Sequence, residues 1–219
     1  ENQPLTFIRR WFFILCHVLC HELCHDFSIF PNTLTFNADI STNPNLNNTE
    51  ANVYHGDARE LDKIFKKSSI DYMITSPPYP GDHEYTKHTK LELIFMDYAN
   101  SLSDFRVIKK RMLRGSTTNI YKEDNDKEKI QEIKSIQEIT KLIDQRLKDD
   151  NATSGFEKLY TKLVWEYFGG MYKVFVSAKK VLKKGGKFSL LVSDSHAFKM
   201  VHIKTADILA EVALKAGFG

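Results

Sequence analysis

A hydroxyl, two consecutive prolines and an aromatic ring follow one another in Thr75-Ser76-Pro77-Pro78-Tyr79. The prolines fix their own φ and push the residues before them into extended backbone. The segment therefore neither continues a helix nor pairs freely as a strand. It presents Ser76 Oγ and main-chain carbonyls to a crevice, with the Tyr79 ring held beside them. Directly upstream, Ile70–Thr75 (IDYMIT) reads as a buried strand. In an open α/β sheet the carboxyl ends of the strands are where ligands bind. In isolation, Ser-Pro-Pro-Tyr also describes a rigid surface turn.

A second constellation lies near the start of the sequence. His21-Glu22-Leu23-Cys24-His25 fits H-E-x-x-H, in which two histidines on one helical face bind zinc and the glutamate is the base. Cys16, Cys20 and Cys24 run alongside at helical spacing. A zinc hydrolase using His21, Glu22 and His25 is thus a remote alternative. The aromatic, apolar character of the stretch favours a structural helix, no third ligand follows in a recognisable context, and no metal is expected. Residues 7–20 carry Arg9 and Arg10 ahead of an apolar run, mildly like a signal peptide. His17 interrupts that run and no small-residue cleavage site follows. The run is too short for a bilayer, which needs roughly 20 apolar residues. Three cysteines at i, i+4, i+8 are not a secreted disulfide framework, so a reducing, cytoplasmic setting and no membrane association are expected.

The elements that must position these residues follow from composition. The 219 residues allow one domain with a proper core, or one domain plus an insert. With 42% hydrophobic and 27% charged residues, wholesale disorder, collagen-like and membrane-bundle classes are excluded. A net charge of +3 is too small to argue for nucleic acid, so that case must rest on local patches. Residues 1–50 divide into the Cys/His stretch and a polar Asn/Thr-rich linker. Asn52–His55 is a β-prone run, Arg59–Lys67 can hold a short helix, and Ile70–Thr75 follows, giving a βαβ rhythm and a parallel sheet. Phe156–Lys184 reads as a long helix stopped by Gly185-Gly186, Lys187–Ser193 as a buried strand, and Ile203–Ala216 as an amphipathic helix whose apolar positions are Ile203, Ala206, Leu209, Ala210, Ala213 and Leu214. Residues 122–150 mix both charges, with Ile130, Ile133, Ile136, Ile139, Ile143 and Leu147 at helical spacing. This predicts a solvent-facing amphipathic helix in an insertion spanning about 106–150.

The motif and its surroundings resemble a family, the S-adenosylmethionine-dependent amino-methyltransferases of DNA. That family carries Asp, Asn or Ser followed by Pro-Pro-Tyr/Phe. The extended match is Ile74–Pro80 (ITSPPYP) with Tyr85-Thr86 and Leu91-Glu92-Leu93, similar to an N4-cytosine/N6-adenine branch. Gly56–Leu61 resembles the stretch before the catalytic strand, and Val181–Ser195 resembles the glycine turn and following strand of class I methyltransferases, with Lys184 where proline is usual. The resemblance covers roughly residues 52–219 and implies an α/β, class I methyltransferase-like (Rossmann-like) fold in a catalytic domain at 51–219.

The resemblance also implies a chemistry. The lone pair of an exocyclic base amine is delocalised into the ring, and acceptors for its two hydrogens favour a pyramidal nitrogen. Ser76 Oγ and the Pro77 carbonyl are suitable acceptors, Pro78 stiffens the segment, and Tyr79 stacks on a base flipped from the duplex. The methyl donor lies in line with the amine, so most of the catalysis is positioning. No cysteine occurs in residues 52–219, which argues against a carbon-5 mechanism. Serine at the first motif position favours cytosine N4 over adenine N6. Donor contacts are expected from Asp57, Ala58, Thr75 and, as a weaker match, Asp39. DNA is the implied partner, with a restriction nuclease as a possible second one. An RNA amino-methyltransferase of the same fold and a truncated, inactive nucleic-acid-binding relic are the alternatives.

Arg106, Lys109, Lys110, Arg111 and Arg114 form a basic run with no acid among residues 105–122. Phosphate contacts from such a run give salt-dependent, sequence-independent affinity, whereas the bland reading is an exposed loop. One departure from the family stands out: no glycine precedes Gly56, so residues 1–51 lack the glycine-rich donor loop. A fragment, a diverged N-terminus or a circular permutation is expected. Donor binding by this chain alone is expected near or above about 1 mM, roughly 4 kcal/mol, with no methylation of DNA.

Overall fold

The computed structural model describes residues 11–13, 52, 54, 56–152 and 154–219, the first three as backbone. Ile70–Thr75 forms a strand (β2) that is central in a three-stranded parallel sheet. One neighbour is β1, Trp11–Phe13, paired from Trp11↔Tyr72 to Phe13↔Ile74. The other is β3, Leu182–Leu190, paired up to Thr75↔Leu190. The mixed α/β class and parallel sheet expected from the sequence are present. The expected strand at 52–55 is not: Asn52 and Tyr54 are outside regular structure, and 53 and 55 lie outside the described residues. The neighbour of β2 comes instead from 11–13, a segment read from sequence as part of a helical stretch. The rest of the Cys/His stretch and Asp39 lie outside the described residues.

The helix expected over Arg59–Lys67 is a 3-10 turn, Ala58–Lys63, capped by Asp57. Between β2 and β3 run α1 (Tyr85–His88), α2 (Lys90–Phe95), α3 (Leu102–Arg111), α4 (Lys134–Asp149) and α5 (Tyr160–Val181). α5 is the spine of the molecule. Leu163, Val164, Tyr167, Phe168, Met171 and Ala178 are fully buried along it. Its C-terminal turns join Leu61, Ile70 and Met73 in one cluster beneath the sheet. Gly169 is required on it, because a Cβ there would stand 2.4 Å from the Asp126 backbone where the Asp126–Lys129 turn crosses the helix.

Three boundaries differ from expectation for physical reasons. α5 ends at Val181, and Gly185-Gly186 lies inside β3 rather than ahead of it. There the register with β2 shifts: Gly185 takes φ 78°, and Gly186 leaves no room for a Cβ, which would sit 3.1 Å from the Asp71 carbonyl. The pair makes a bulge, which needs a backbone freedom only glycine supplies. The amphipathic helix starts at Lys134 rather than near 122, and it is not a solvent-facing insertion. Its stripe of Ile136, Ile139 and Ile143 packs into the main core with α5. Finally, a hairpin of β4 (Ser195–Ala197) and β5 (Val201–Ile203) precedes α6 (Thr205–Lys215). This places Ile203 in a strand and turns α6 so that Thr205, Ile208, Leu209 and Val212 face inward. Ala206, Ala210 and Leu214, expected on the apolar face, are exposed. No helix among the described residues is long and apolar enough to cross a membrane.

Candidate functional site

Beyond β2 the chain keeps contact with β3 for one more residue. Leu191 N donates to the Thr75 carbonyl at 2.9 Å, and Ser76 Oγ donates to the Leu191 carbonyl at 3.1 Å. Pro77 has no N–H with which to extend the ladder, so pairing stops and the chain leaves the sheet. Pro77, Pro78 and Pro80 are buried, whereas Ser76 and Tyr79 are half-buried. The Ser-Pro-Pro-Tyr segment thus stands at the carboxyl end of the central strand, clamped by its prolines, with its serine and tyrosine accessible.

Donation to Leu191 has a chemical consequence. It uses the one hydrogen of the Ser76 hydroxyl and leaves the oxygen as an acceptor. Next to it, Thr75 Oγ1 is buried and has no hydrogen-bond partner among the described residues. A buried hydroxyl left in that state costs about 1–3 kcal/mol, so the position suits a ligand or water that satisfies it.

The segment after the prolines is held by a strap formed by residues 111–119. The Cβ that Gly115 lacks would stand 3.4 Å from the Tyr79 carbonyl. Asp82, at φ 61°, accepts hydrogen bonds from Thr117 N at 2.6 Å, Thr117 Oγ1 at 2.9 Å and Ser116 Oγ at 3.0 Å. Glu84 is buried, accepts from Thr118 Oγ1 at 2.5 Å and Thr86 Oγ1 at 2.9 Å, and pairs with Lys109 and Lys87. Burial pushes the Glu84 carboxyl upward, but the bonds from Lys109, Thr118, Thr86 and Lys87 outweigh it and hold the pKa at about 2. Tyr85 lies against the Tyr79 backbone, and burial raises its phenol above the usual range.

The same strap reaches Asp57. Arg59 forks onto Asp57, with Nη2 2.6 Å from Oδ2, and the same Nη2 donates to the Arg111 carbonyl at 2.7 Å. Asp57 also caps the Ala58–Lys63 turn through Arg59 N at 2.9 Å. Ala58, partly buried, packs against the main core. Of the four residues expected to contact a donor, Thr75 has a buried, unsatisfied hydroxyl, Asp57 is engaged by Arg59, Ala58 is structural packing and Asp39 lies outside the described residues.

The basic run divides. Lys109 turns inward to Glu84, and Arg114 makes a bidentate pair with Asp124, 2.8 Å on both arms, with both side chains largely buried. Lys110 pairs with Glu123 at 2.9 Å at the surface, and Arg106 and Arg111 are exposed. Sequence reasoning did not single out Asp82, Glu84 or the Leu191 carbonyl. The two acids just after Pro80 were visible, but their partners at 116–118 lie more than thirty residues away. His21, Glu22 and His25 lie outside the described residues. Among the described residues no group of three or more His, Cys, Asp or Glu could hold a metal ion. Gly217, a left-handed residue, ends α6: Gly217 N bonds the Leu214 carbonyl at 2.9 Å and Phe218 N the Ala213 carbonyl at 3.0 Å. The chain matches no family model, no curated protein and no solved structure.

Proposed function

We propose that Ser76–Tyr79 receives the amino group of a flipped-out DNA base for methylation by S-adenosylmethionine, with cytosine N4 preferred over adenine N6. The observation that carries this reading is the Ser76 hydroxyl, turned onto the Leu191 carbonyl so that its oxygen is left as an acceptor at the end of the central strand. An acceptor there and at the Pro77 carbonyl bonds the two hydrogens of an exocyclic amine. That withdraws the nitrogen lone pair from the ring and directs it outward. Tyr79 supplies a stacking face for the base. The prolines and the strap at 111–119 fix these groups before the base arrives, which is where positioning contributes to rate.

The donor supplies a methyl group bound to a positively charged sulfur. Thr75 Oγ1 fits it as an unsatisfied buried hydroxyl beside Ser76. Asp57 fits less well, since Arg59 already occupies its carboxylate. With no glycine before Gly56 to form a donor loop, donor binding by this chain is expected near or above about 1 mM.

An NMR titration that follows the donor's methyl resonance tests the reading. The expected result is broadening by the chain that strengthens when a cytosine-containing single-stranded oligonucleotide is added, because two ligands meeting in one site change each other's affinity. No broadening, with or without the oligonucleotide, contradicts it.

A further inference from the structure

Four cations from separate parts of the chain converge on one face of α5. Arg59 on the Ala58–Lys63 turn, Lys129 at the end of the Asp126–Lys129 turn, and Lys173 and Lys180 on α5 line a shallow depression of about 210 Å³, together with Tyr172 and Val176. Positions 173, 176 and 180 share a helix face by their spacing, so both lysines and the apolar Val176 present to the same side. Among the described residues, Arg59 pairs with Asp57 at 2.6 Å, Lys180 with Asp62 at 2.7 Å and Lys173 with Asp126. Lys129 has no ion-pair partner among the described residues.

The Lys180–Asp62 pair does not close the site to an anion. Both partners of the Lys180–Asp62 pair are more than a third exposed, at 53% and 38%. A surface pair of this kind contributes little stability, so Lys180 can be shared with an incoming anion at small cost. The acids also have a positive role: each holds a flexible cation at the rim of the depression. The Tyr172 ring, already under the Lys215 ammonium at 5.6 Å, adds an apolar surface.

We propose that this depression binds a phosphate group carried on a flat body, as in a nucleoside monophosphate. A phosphate is a mono- to dianion at neutral pH, which suits a cluster of cations, and lysine and arginine are its usual donors. A base attached to it has Tyr172 and Val176 to lie against. None of the lining residues belongs to the segment at 75–84. The phosphate can come from a free nucleotide or from a nucleic-acid strand.

The test titrates the chain at low salt with adenosine 5′-monophosphate, inorganic phosphate and adenosine. The nucleotide binds saturably, and adenosine alone does not. The double variant Lys129→Gln, Lys173→Gln loses about tenfold in nucleotide affinity with two charge-assisted contacts removed. Tyr172→Leu weakens the nucleotide and leaves inorganic phosphate unchanged. Lys129→Gln alone, at an exposed unpaired side chain, gives a smaller loss and guards against misfolding of the double variant. Displacement of the nucleotide by a single-stranded oligonucleotide identifies a strand phosphate as the source, and retention of the nucleotide identifies a free one. Absence of saturable nucleotide binding, or unchanged affinity in folded Lys129→Gln and double variants, overturns the proposal.

Discussion

The Ser76 hydroxyl and the Leu191 carbonyl, 115 residues apart, meet at 3.1 Å where the central parallel pair of strands ends. The bond makes Ser76 an acceptor for whatever enters from outside and ties its orientation to β3. Replacing Leu191 by another apolar residue leaves the bond in place, because only the main chain takes part. Replacing Ser76 by alanine removes the acceptor and little else. Ser76→Ala is expected to shift stability by less than about 1 kcal/mol, since the site is half-buried, while abolishing any preference for amino-bearing bases. Denaturant unfolding read beside oligonucleotide binding checks both halves.

Glu84 fastens the segment after the prolines to the strap. Its carboxyl titrates at about 2, against an ordinary value of 4.5. The lowered value means that the folded protein favours the ionised form. The stability from this group is therefore complete above about pH 4.5 and is lost as the pH falls toward about 2. Glu84→Gln is expected to cost roughly 1–3 kcal/mol at neutral pH, because Lys109 loses its charged partner, and to flatten the acid limb of the stability profile. Thermal unfolding between pH 7 and pH 3 is the check; an unchanged acid limb in the variant removes Glu84 from this role.

Glu166 presents the opposite case. It is fully buried on α5, accepts one hydrogen bond from Asp126 N at 2.8 Å, and its other oxygen has no partner among the described residues. Burial, helped by the neighbouring charges of Asp126 and Asp124, raises its carboxyl above the ordinary range. The folded protein thus favours the protonated form, and stability from this group is lost as the pH rises through the raised value. Glu166→Gln keeps an acceptor for Asp126 N and removes the charge. It is expected to unfold at a higher temperature than the parent at alkaline pH and at nearly the same temperature in acid; a variant less stable at every pH contradicts this.

The divided basic run gives a third contrast. Lys109→Gln loosens the Glu84 hub and is expected to lower stability, whereas Arg106→Gln, at an exposed side chain, is expected to leave it within about 0.5 kcal/mol. If the exposed members contact phosphates, Arg106→Gln weakens DNA association across all sequences and reduces its salt dependence. Affinity and salt slope unchanged in Arg106→Gln assign that residue to a solvated face.

The parts of the fold that could be read in advance are those whose signals are local. Ile70–Thr75 is an apolar run stopped by two prolines, and both its strand and its exit from the sheet follow from that. α5 was visible as one long apolar helix, but its end was not, because Gly185-Gly186 reads as a helix stop and serves instead as a bulge against Asp71. The β4–β5 hairpin was invisible for the converse reason: its turn places Phe198, Lys199 and Met200 at positive φ, where a hairpin signal would have glycine or asparagine. The site divides the same way. Ser76 to Tyr79 are contiguous, whereas the Leu191 carbonyl, the 116–118 donors and the Arg59 fork onto Asp57 and Arg111 depend on tertiary contacts that no spacing reports.

Photo-cross-linking separates an amino-base site from a rigid turn. Single-stranded oligonucleotides carrying 5-iodocytosine or 5-iodouracil differ at the position Ser76 addresses: cytosine presents an amine there and uracil a carbonyl. After irradiation with the intact chain and peptide mapping, the expected adduct is on Tyr79, formed in higher yield with 5-iodocytosine and reduced to the 5-iodouracil level by Ser76→Ala. Equal yields from the two bases, or an adduct that ignores Ser76→Ala, would contradict a Ser76–Tyr79 site for an exocyclic amine.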